Sequence, residues 1–308
     1  MSFDRIHYVC NAGVLVESGG RKVLVDGLIN HGHKIFDKFS PQIEAKIIRG
    51  EPPFDGLDLV LVTHFHSDHF DRHVMAGFCR SNPQVPVAGS PQVMALLRPE
   101  LPVGANLVEL NPPRYEYERL ELNGVDFSAV SLLHSGKEYE DAINLAYVLR
   151  LGKTFVHTGD AVNSRRNIEA LSLVLAGNDG ASATGSRAGA RLKPPSSRPG
   201  TGQEAAFEQT ERAARGELNG QAGSGEMAGQ SIAGGPVVIA PFPYLTLPLA
   251  FKKFRSLLEP ECLFIMHLPN EHRDQGGWIE ATHNAWNKQR DAGLRIILAK
   301  HEGDVFNV

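Results

Sequence analysis

Three histidines and an aspartate fall within six positions of VTHFHSDHF, residues 62–70: His64, His66, Asp68 and His69. Imidazoles beside a carboxylate suit a borderline divalent ion, zinc foremost, with manganese or iron as alternatives. The spacing suits it too. In extended backbone, side chains two apart point the same way, so His64 and His66 can face one point from a strand end. A tight turn then lets Asp68 and His69 reach a second point nearby. The competing reading is a solvated loop that happens to be rich in His. The run before it, LDLVLV, is apolar, however, and a buried polar cluster is costly unless something satisfies it.

Four residues cannot complete two coordination shells, so further ligands must come from other elements. Three candidates occupy the same kind of place. His134 closes VDFSAVSLLH, Asp160 closes KTFVHTGD and His267 closes CLFIMH. Polar residues at the C-terminal ends of apolar strands are where folds of mixed helix and sheet build their sites. Any one of them alone reads equally well as a strand-end cap; together with the cluster they read as ligands.

The elements that must position these residues follow from periodicity. RIHYVC, GVLVES and RKVLVDG pattern as strands, the last two joined by a Gly19-Gly20 turn. LDLVLVTH is a buried strand. Residues 71–80 and 90–98 pattern as helices, the second opening on Ser90-Pro91. Strands follow at ANLVEL, YEYERLEL, VDFSAVSLLH, INLAYVLRL and KTFVHTGD, then a helix near 164–176 and a strand PVVIAP. A helix near 248–258, the strand CLFIMH, a helix near 278–291 and the strand LRIILAK complete the series. Runs of strands mixed with helices in both halves predict two helix-covered sheets.

Residues 178–235 break the pattern, being dominated by Gly, Ala, Ser, Glu, Gln and Arg. Such a segment buries too little to offset its ordering entropy and reads as a disordered low-complexity insertion. Without it about 250 residues remain, so the expectation is one domain over 1–308 that carries this insertion.

The 308 residues carry a net charge of −4, which argues against a broad nucleic-acid-binding surface. Cys10, Cys79 and Cys262 form no CxxC pair and read as reduced thiols. No secretory pattern opens the chain and no apolar run reaches membrane-spanning length. The expectation is a cytoplasmic protein acting on a small molecule, without nucleic-acid or membrane partners, with a homo-oligomer as an option.

The set THFHSDHFD, SLLHSG, HTGDA and FIMHLP, in that order, resembles the metallo-β-lactamase-fold hydrolases. With Asp71 the cluster reads HxHxDHxD and is similar to the branch holding L-ascorbate-6-phosphate lactonase-like proteins and N-acylphosphatidylethanolamine phospholipase D-like enzymes. AGVLVESGGRKVLVDG looks like that branch's opening hairpin, in which Asp26 would be the buried acid supporting the metal loop. The resemblance implies an α+β fold, a four-layer αββα sandwich of two mixed sheets flanked by helices. It implies two divalent ions, Zn2+ first and Mn2+ or Fe2+ as alternatives. His64, His66 and His134 would hold one; Asp68, His69 and His267 would hold the other; Asp160 would bridge them. A hydroxide between the ions would cleave a small ester, lactone or phosphodiester, with Asp68 positioning it or passing a proton to the leaving group.

The chain departs from the branch at Asn11, where a His is common, and at Gly27, where a Pro is common. Tyr244, His272 and Arg273 are candidate substrate contacts, the last two for an anionic group. His31 and His33 read as surface histidines and His157 as a satisfied core group. Two other classes stay open: a mononuclear iron dioxygenase on the same fold, and a metal-binding relative without catalysis. Flavodiiron-type members carry Glu where this chain has His66, which argues against that variant.

Overall fold

In a computed structural model, residues 4–29, 35–37, 39–177, 234–289 and 293–308 are described. The expected insertion, apart from Gly234 and Gly235, lies outside them, as do His31 and His33.

The first sheet is laid down by β1 (Arg5–Cys10), β2 (Gly13–Ser18) and β3 (Arg21–Val25), paired as antiparallel hairpins. The chain then crosses through helix α1 (Pro41–Arg49) to β4 (Leu59–Val62), through α2 (Arg72–Ser81) to β5 (Val87–Gly89), and through α3 (Pro91–Leu97) to β6 (Leu107–Glu109). These last strands add in parallel.

The second sheet repeats the scheme. β7 (Tyr117–Leu122), β8 (Val125–Leu132), β9 (Asn144–Arg150) and β10 (Thr154–His157) form an antiparallel meander. Helix α4 (Arg165–Ala176) follows, and β11 (Val237–Pro241) adds in parallel to β10. The short α5 (Pro243–Thr246) and α6 (Pro248–Leu258) lead to β12 (Cys262–Met266), and α7 (Trp278–Gln289) precedes β13 (Arg295–Leu298). The last strand, β14 (Val305–Asn307), crosses back to pair with β1. The spatial orders are β14-β1-β2-β3-β4-β5-β6 and β13-β12-β11-β10-β9-β8-β7.

Alternation along the strands sorts three apolar layers. Val14, Val16, Val23, Val25, Leu59 and Leu61 point inward, onto Phe127, Tyr147, Phe155, Ile239 and Phe264 of the other sheet. Leu15, Leu24, Val60 and Val62 point outward under α1–α3, and Val130, Val148, Val156 and Ile265 outward under α4 and α6. A strand covered on both faces has no polar side to show, which is why LVLV and its partners read as unbroken apolar runs. The result is the αββα sandwich of two mixed sheets flanked by helices.

Four elements, the short α5 among them, were not foreseen. Helix α1 is bounded by Ser40, whose hydroxyl accepts from the Ile43 N–H, and by a left-handed Gly50, and its Ile43, Ile47 and Ile48 recur at helical spacing, a signal the sequence reading passed over. β5 and β14 have three residues each, too few for a period, and owe their extended form to the strands they pair with. KTFVHTGD ends as a strand at His157, so Asp160 lies in the following turn. Among the described residues no helix is long and apolar enough to cross a membrane.

Candidate metal centre

The quartet begins where β4 stops. Thr63 and His64 continue from Val62, and the turn is closed by the N–H groups of His69 and Phe70, which both donate to the His66 carbonyl at 2.9 Å. Asp71 then caps α2, accepting from the N–H groups of His73 and Val74. His134 stands just past β8, bridged to Ala161, and His267 just past β12. Strand ends from both sheets thus deliver side chains to one place.

The distances there are short. His64 Nε2 lies 3.3 Å from His134 Nε2, and His69 Nε2 lies 3.3 Å from His267 Nε2. Asp160 reaches three histidines: Oδ1 is 3.3 Å from His69 Nε2, and Oδ2 is 3.6 Å from His267 and 3.9 Å from His134 Nε2. Asp68 Oδ2 lies 3.4 Å from His267 Nε2. Three donor groups emerge, His64/His66/His134, His64/His69/Asp160 and Asp68/His69/His267, each with its ligand atoms within 4.8 Å of one another. His64 links the first to the second and His69 the second to the third.

Hydrogen-bond bookkeeping tests whether these donors fit cations. The Thr63 hydroxyl donates to Asp26 Oδ2 at 2.6 Å, so its oxygen accepts from His64 Nδ1 at 3.0 Å. His134 Nδ1 donates to the Ser135 carbonyl at 2.5 Å. Both rings are thereby fixed as Nδ1–H tautomers, and their Nε2 lone pairs face each other. That arrangement is repulsive alone and is relieved by a cation between them. The separation also matches, since two ligand atoms of one tetrahedral zinc stand roughly 3.3 Å apart. Asp160 Oδ1, buried without a hydrogen-bond partner among the described residues, is a further acceptor suited to a cation.

The electrostatics agree. Burial, then the charge of His69, holds His64 well below the usual imidazole range; burial and His134 bring His66 down to about 4; burial dominates a drop at His134. These rings are neutral ligands at neutral pH. Burial would raise the carboxyl of Asp160, but the charges of His267 and His69 hold it well below the ordinary range. Burial would also raise Asp68, and the hydrogen bond with His267 together with the His69 charge outweighs it. His69 goes the other way: burial would lower it, yet Asp160 and Asp26 raise it well above the usual value. The carboxylate field that holds a proton there also attracts a divalent cation.

Supporting residues lie one step back. Asp26, in β3's extension, is buried and accepts from the Thr63 N–H at 2.8 Å, from the Thr63 hydroxyl and from His69 Nδ1 at 2.8 Å. Asn11, with φ 52°, donates to the Asp68 carbonyl at 2.8 Å, and its own carbonyl accepts from the His267 N–H at 3.0 Å. It therefore ties two strand ends of different sheets. Asn144 accepts from the Asp160 N–H at 2.9 Å and donates to the Thr158 carbonyl at 3.1 Å. Sequence reasoning missed Thr63 and Asn144, and saw Asn11 only as a departure. The available signal was a polar residue at the buried end of an apolar strand.

The Asp160 turn depends on Gly159, whose φ is +55° and whose Cβ, if present, would lie 2.4 Å from Asn144 Oδ1 and 2.9 Å from Thr63 Cβ. Gly159→Ala is expected to cost about 2–4 kcal/mol in a urea unfolding titration, combining left-handed strain with overpacking. A loss below about 0.5 kcal/mol would mean that the turn is not as tight as described.

The remaining candidates are placed differently. His157 is a core group, its Nε2 donating to the Ala12 carbonyl at 3.0 Å and its Nδ1 accepting from the Gly159 N–H at 3.2 Å. Tyr244 is fully buried under α6, its ring against Phe254 at 5.6 Å. Arg273 pairs with Asp37 at 2.6 Å and donates to the Phe36 carbonyl, clamping the segment whose Phe36 ring sits 3.9 Å from the His267 ring. His272 is exposed, and with Arg273, Ile35 and Trp278 it lines a cavity of about 350 Å³.

The sequence profile of the Beta-lactamase superfamily domain matches residues 11–174, the stretch that includes the quartet, His134 and Asp160. No curated protein sequence matches the chain. Three solved structures are similar to it. Igni18, a metallo hydrolase from the archaeon Ignicoccus hospitalis, shares 15% identity over 99% of this chain and 98% of its own, with a TM-score of 0.54. An isothiocyanate hydrolase from Delia radicum gut bacteria shares 12% over 99% of each chain, with a TM-score of 0.56. CmlA, a diiron β-hydroxylase from Streptomyces venezuelae, shares 13% over 100% of this chain but 55% of its own, with a TM-score of 0.54. At such identities the likeness is one of fold.

Proposed function

The chain belongs to the beta-lactamase superfamily, and from that premise we propose that it is a metal-dependent hydrolase with two divalent ions at this centre. The observation that carries the reading is the interlocking of the three donor groups through His64 and His69. His64, His66 and His134 would hold one ion, and Asp68, His69 and His267 the other. Asp160, within 4 Å of histidines from both trios, would join them. All donors are nitrogen or carboxylate oxygen, a set that suits zinc. Such ions, when bound, bring the pKa of water to about 7 and polarise a carbonyl or phosphoryl oxygen.

The chain's own part is positional. Asn11 and Asn144 fix the carbonyls and N–H groups that aim Asp68, His267 and Asp160. Asp68, held ionised, is placed to take a proton from the attacking water and return it to the leaving group. We take the substrate to be a small ester, lactone or phosphodiester, a reading supported by the resemblance of the HxHxDHxD pattern to the L-ascorbate-6-phosphate lactonase-like branch. Buried free thiols at Cys10, Cys79 and Cys262 support a cytoplasmic setting. We also take the whole chain as one domain, interrupted at 178–235.

Elemental analysis of purified protein, with a panel of ester, lactone and phosphodiester substrates, tests the reading. We expect two zinc ions per chain, hydrolysis lost on chelation and activity restored by adding zinc back. Turnover that survives complete metal removal would overturn it. A second reading, redox chemistry at a diiron centre, is favoured only by the CmlA likeness; two irons per chain with oxygen consumption would establish it instead.

A further inference from the structure

The wall beside His66 is aromatic. Tyr139 lies in the 137–139 turn between β8 and β9, 38% exposed, while the histidines beneath it are largely covered. Its ring centroid is 4.7 Å from His66 and 5.2 Å from His134, inclined to the two imidazoles by 64° and 62°. Phe65, half-buried and packed against the outer core of the first sheet, also touches His66, with ring centroids 5.0 Å apart. His66 is also the least buried imidazole of its trio.

The turn is pinned, which separates a wall from a passing surface ring. Tyr139 N–H donates to the Gly136 carbonyl at 3.1 Å, and its carbonyl accepts from the Ala142 N–H at 2.9 Å. Gln92 of α3 donates to the Asp141 carbonyl and accepts from the Ile143 N–H, both at 2.8 Å. Arg114 donates to the Glu140 carbonyl at 3.0 Å. Gly136 has φ +87°, and a Cβ there would lie 2.9 Å from Tyr139 Cδ2, so the ring occupies space that only glycine leaves free.

We propose that Tyr139 is the specificity-determining residue of the centre and selects substrates whose non-reacting group is planar and aromatic. The inference rests on the hydrolase reading and deepens it. The phenol ring packs against two imidazoles and is still 38% exposed; that exposed part is a rigid surface for offset or edge-to-face contact, which costs little entropy to use.

The test is calorimetric titration of protein carrying its divalent ions with phenylphosphonate and methylphosphonate, which share a head group and differ in the ring. Wild type is expected to prefer the phenyl compound about tenfold. Tyr139→Ala should reduce that preference to about twofold or less, with methylphosphonate affinity and metal content unchanged, while Tyr139→Phe keeps it. A preference that persists in Tyr139→Ala, or that vanishes in Tyr139→Phe as well, overturns the proposal. A parallel loss of metal or of methylphosphonate binding overturns it too, because Tyr139 would then be only a support for His66 and His134. Equal binding of both compounds to wild type sinks this inference alone; binding of neither, with metal present, sinks the hydrolase reading beneath it.

Discussion

Asp160→Ala is expected to lower hydrolytic turnover by about 10³-fold or more and to reduce bound metal from two ions per chain to one or none. The size follows from its position. Its carboxylate faces His69, His267 and His134 from a single side chain, so one substitution alters the surroundings of all three. Removing it takes away a carboxylate that faces histidines of both trios and strips the His64/His69/Asp160 group of its acidic member. The backbone should survive, since the Asp160 N–H still donates to Asn144 and its carbonyl still accepts from the Ser135 N–H. Unchanged circular dichroism would show this, and metal content by mass spectrometry gives a readout that needs no substrate. Two retained ions with undiminished turnover would remove Asp160 from the centre.

How much of this was legible depended on whether a residue acts through its own type or through its neighbours. His64, His66, His134, Asp160 and His267 could be picked out as candidates because few residue types suit a metal ion and these lie at or shortly past the ends of apolar strands. Thr63 could not, because its role is to pass a hydrogen bond from His64 to Asp26, 37 residues away, and a threonine in a strand otherwise reads as ordinary β-former. Asn11 illustrates the same limit. As a substitution for the expected histidine it looked like a loss, yet its left-handed backbone and two hydrogen bonds join Asp68 to His267. Tyr244 reads in the sequence as a candidate substrate contact, but a short helix folds its ring wholly inside, a burial that its neighbouring prolines do not announce. The sheets were legible in their long strands and not in β5 or β14, whose three residues are shaped by partners rather than by pattern.

Asp26→Asn should release one ion selectively, with affinity for it falling about 10–100-fold while the fold persists. The substitution keeps the shape and changes only what the two terminal atoms can do. Thr63 N–H is an obligate donor at 2.8 Å from Oδ1, so the amide oxygen must take that place and the NH2 group must take the place of Oδ2. There it meets the Thr63 hydroxyl at 2.6 Å and His69 Nδ1 at 2.8 Å. An NH2 group cannot accept, so His69 Nδ1 must give up its proton and accept instead, which moves the ring hydrogen to Nε2. That nitrogen is the one facing His267 and Asp160. Protonated, it is no longer a ligand, and the Asp68/His69/His267 group loses one of its three donors. His64, His66 and His134 are not addressed by this exchange, because the Thr63 oxygen can still accept from His64 Nδ1. Dialysed Asp26→Asn protein should therefore hold close to one ion where the parent holds two, with its thermal transition still cooperative. Equal loss of both ions would mean that Asp26 shapes the whole loop rather than one tautomer, and full retention of both would mean that His69 is not held by this carboxylate.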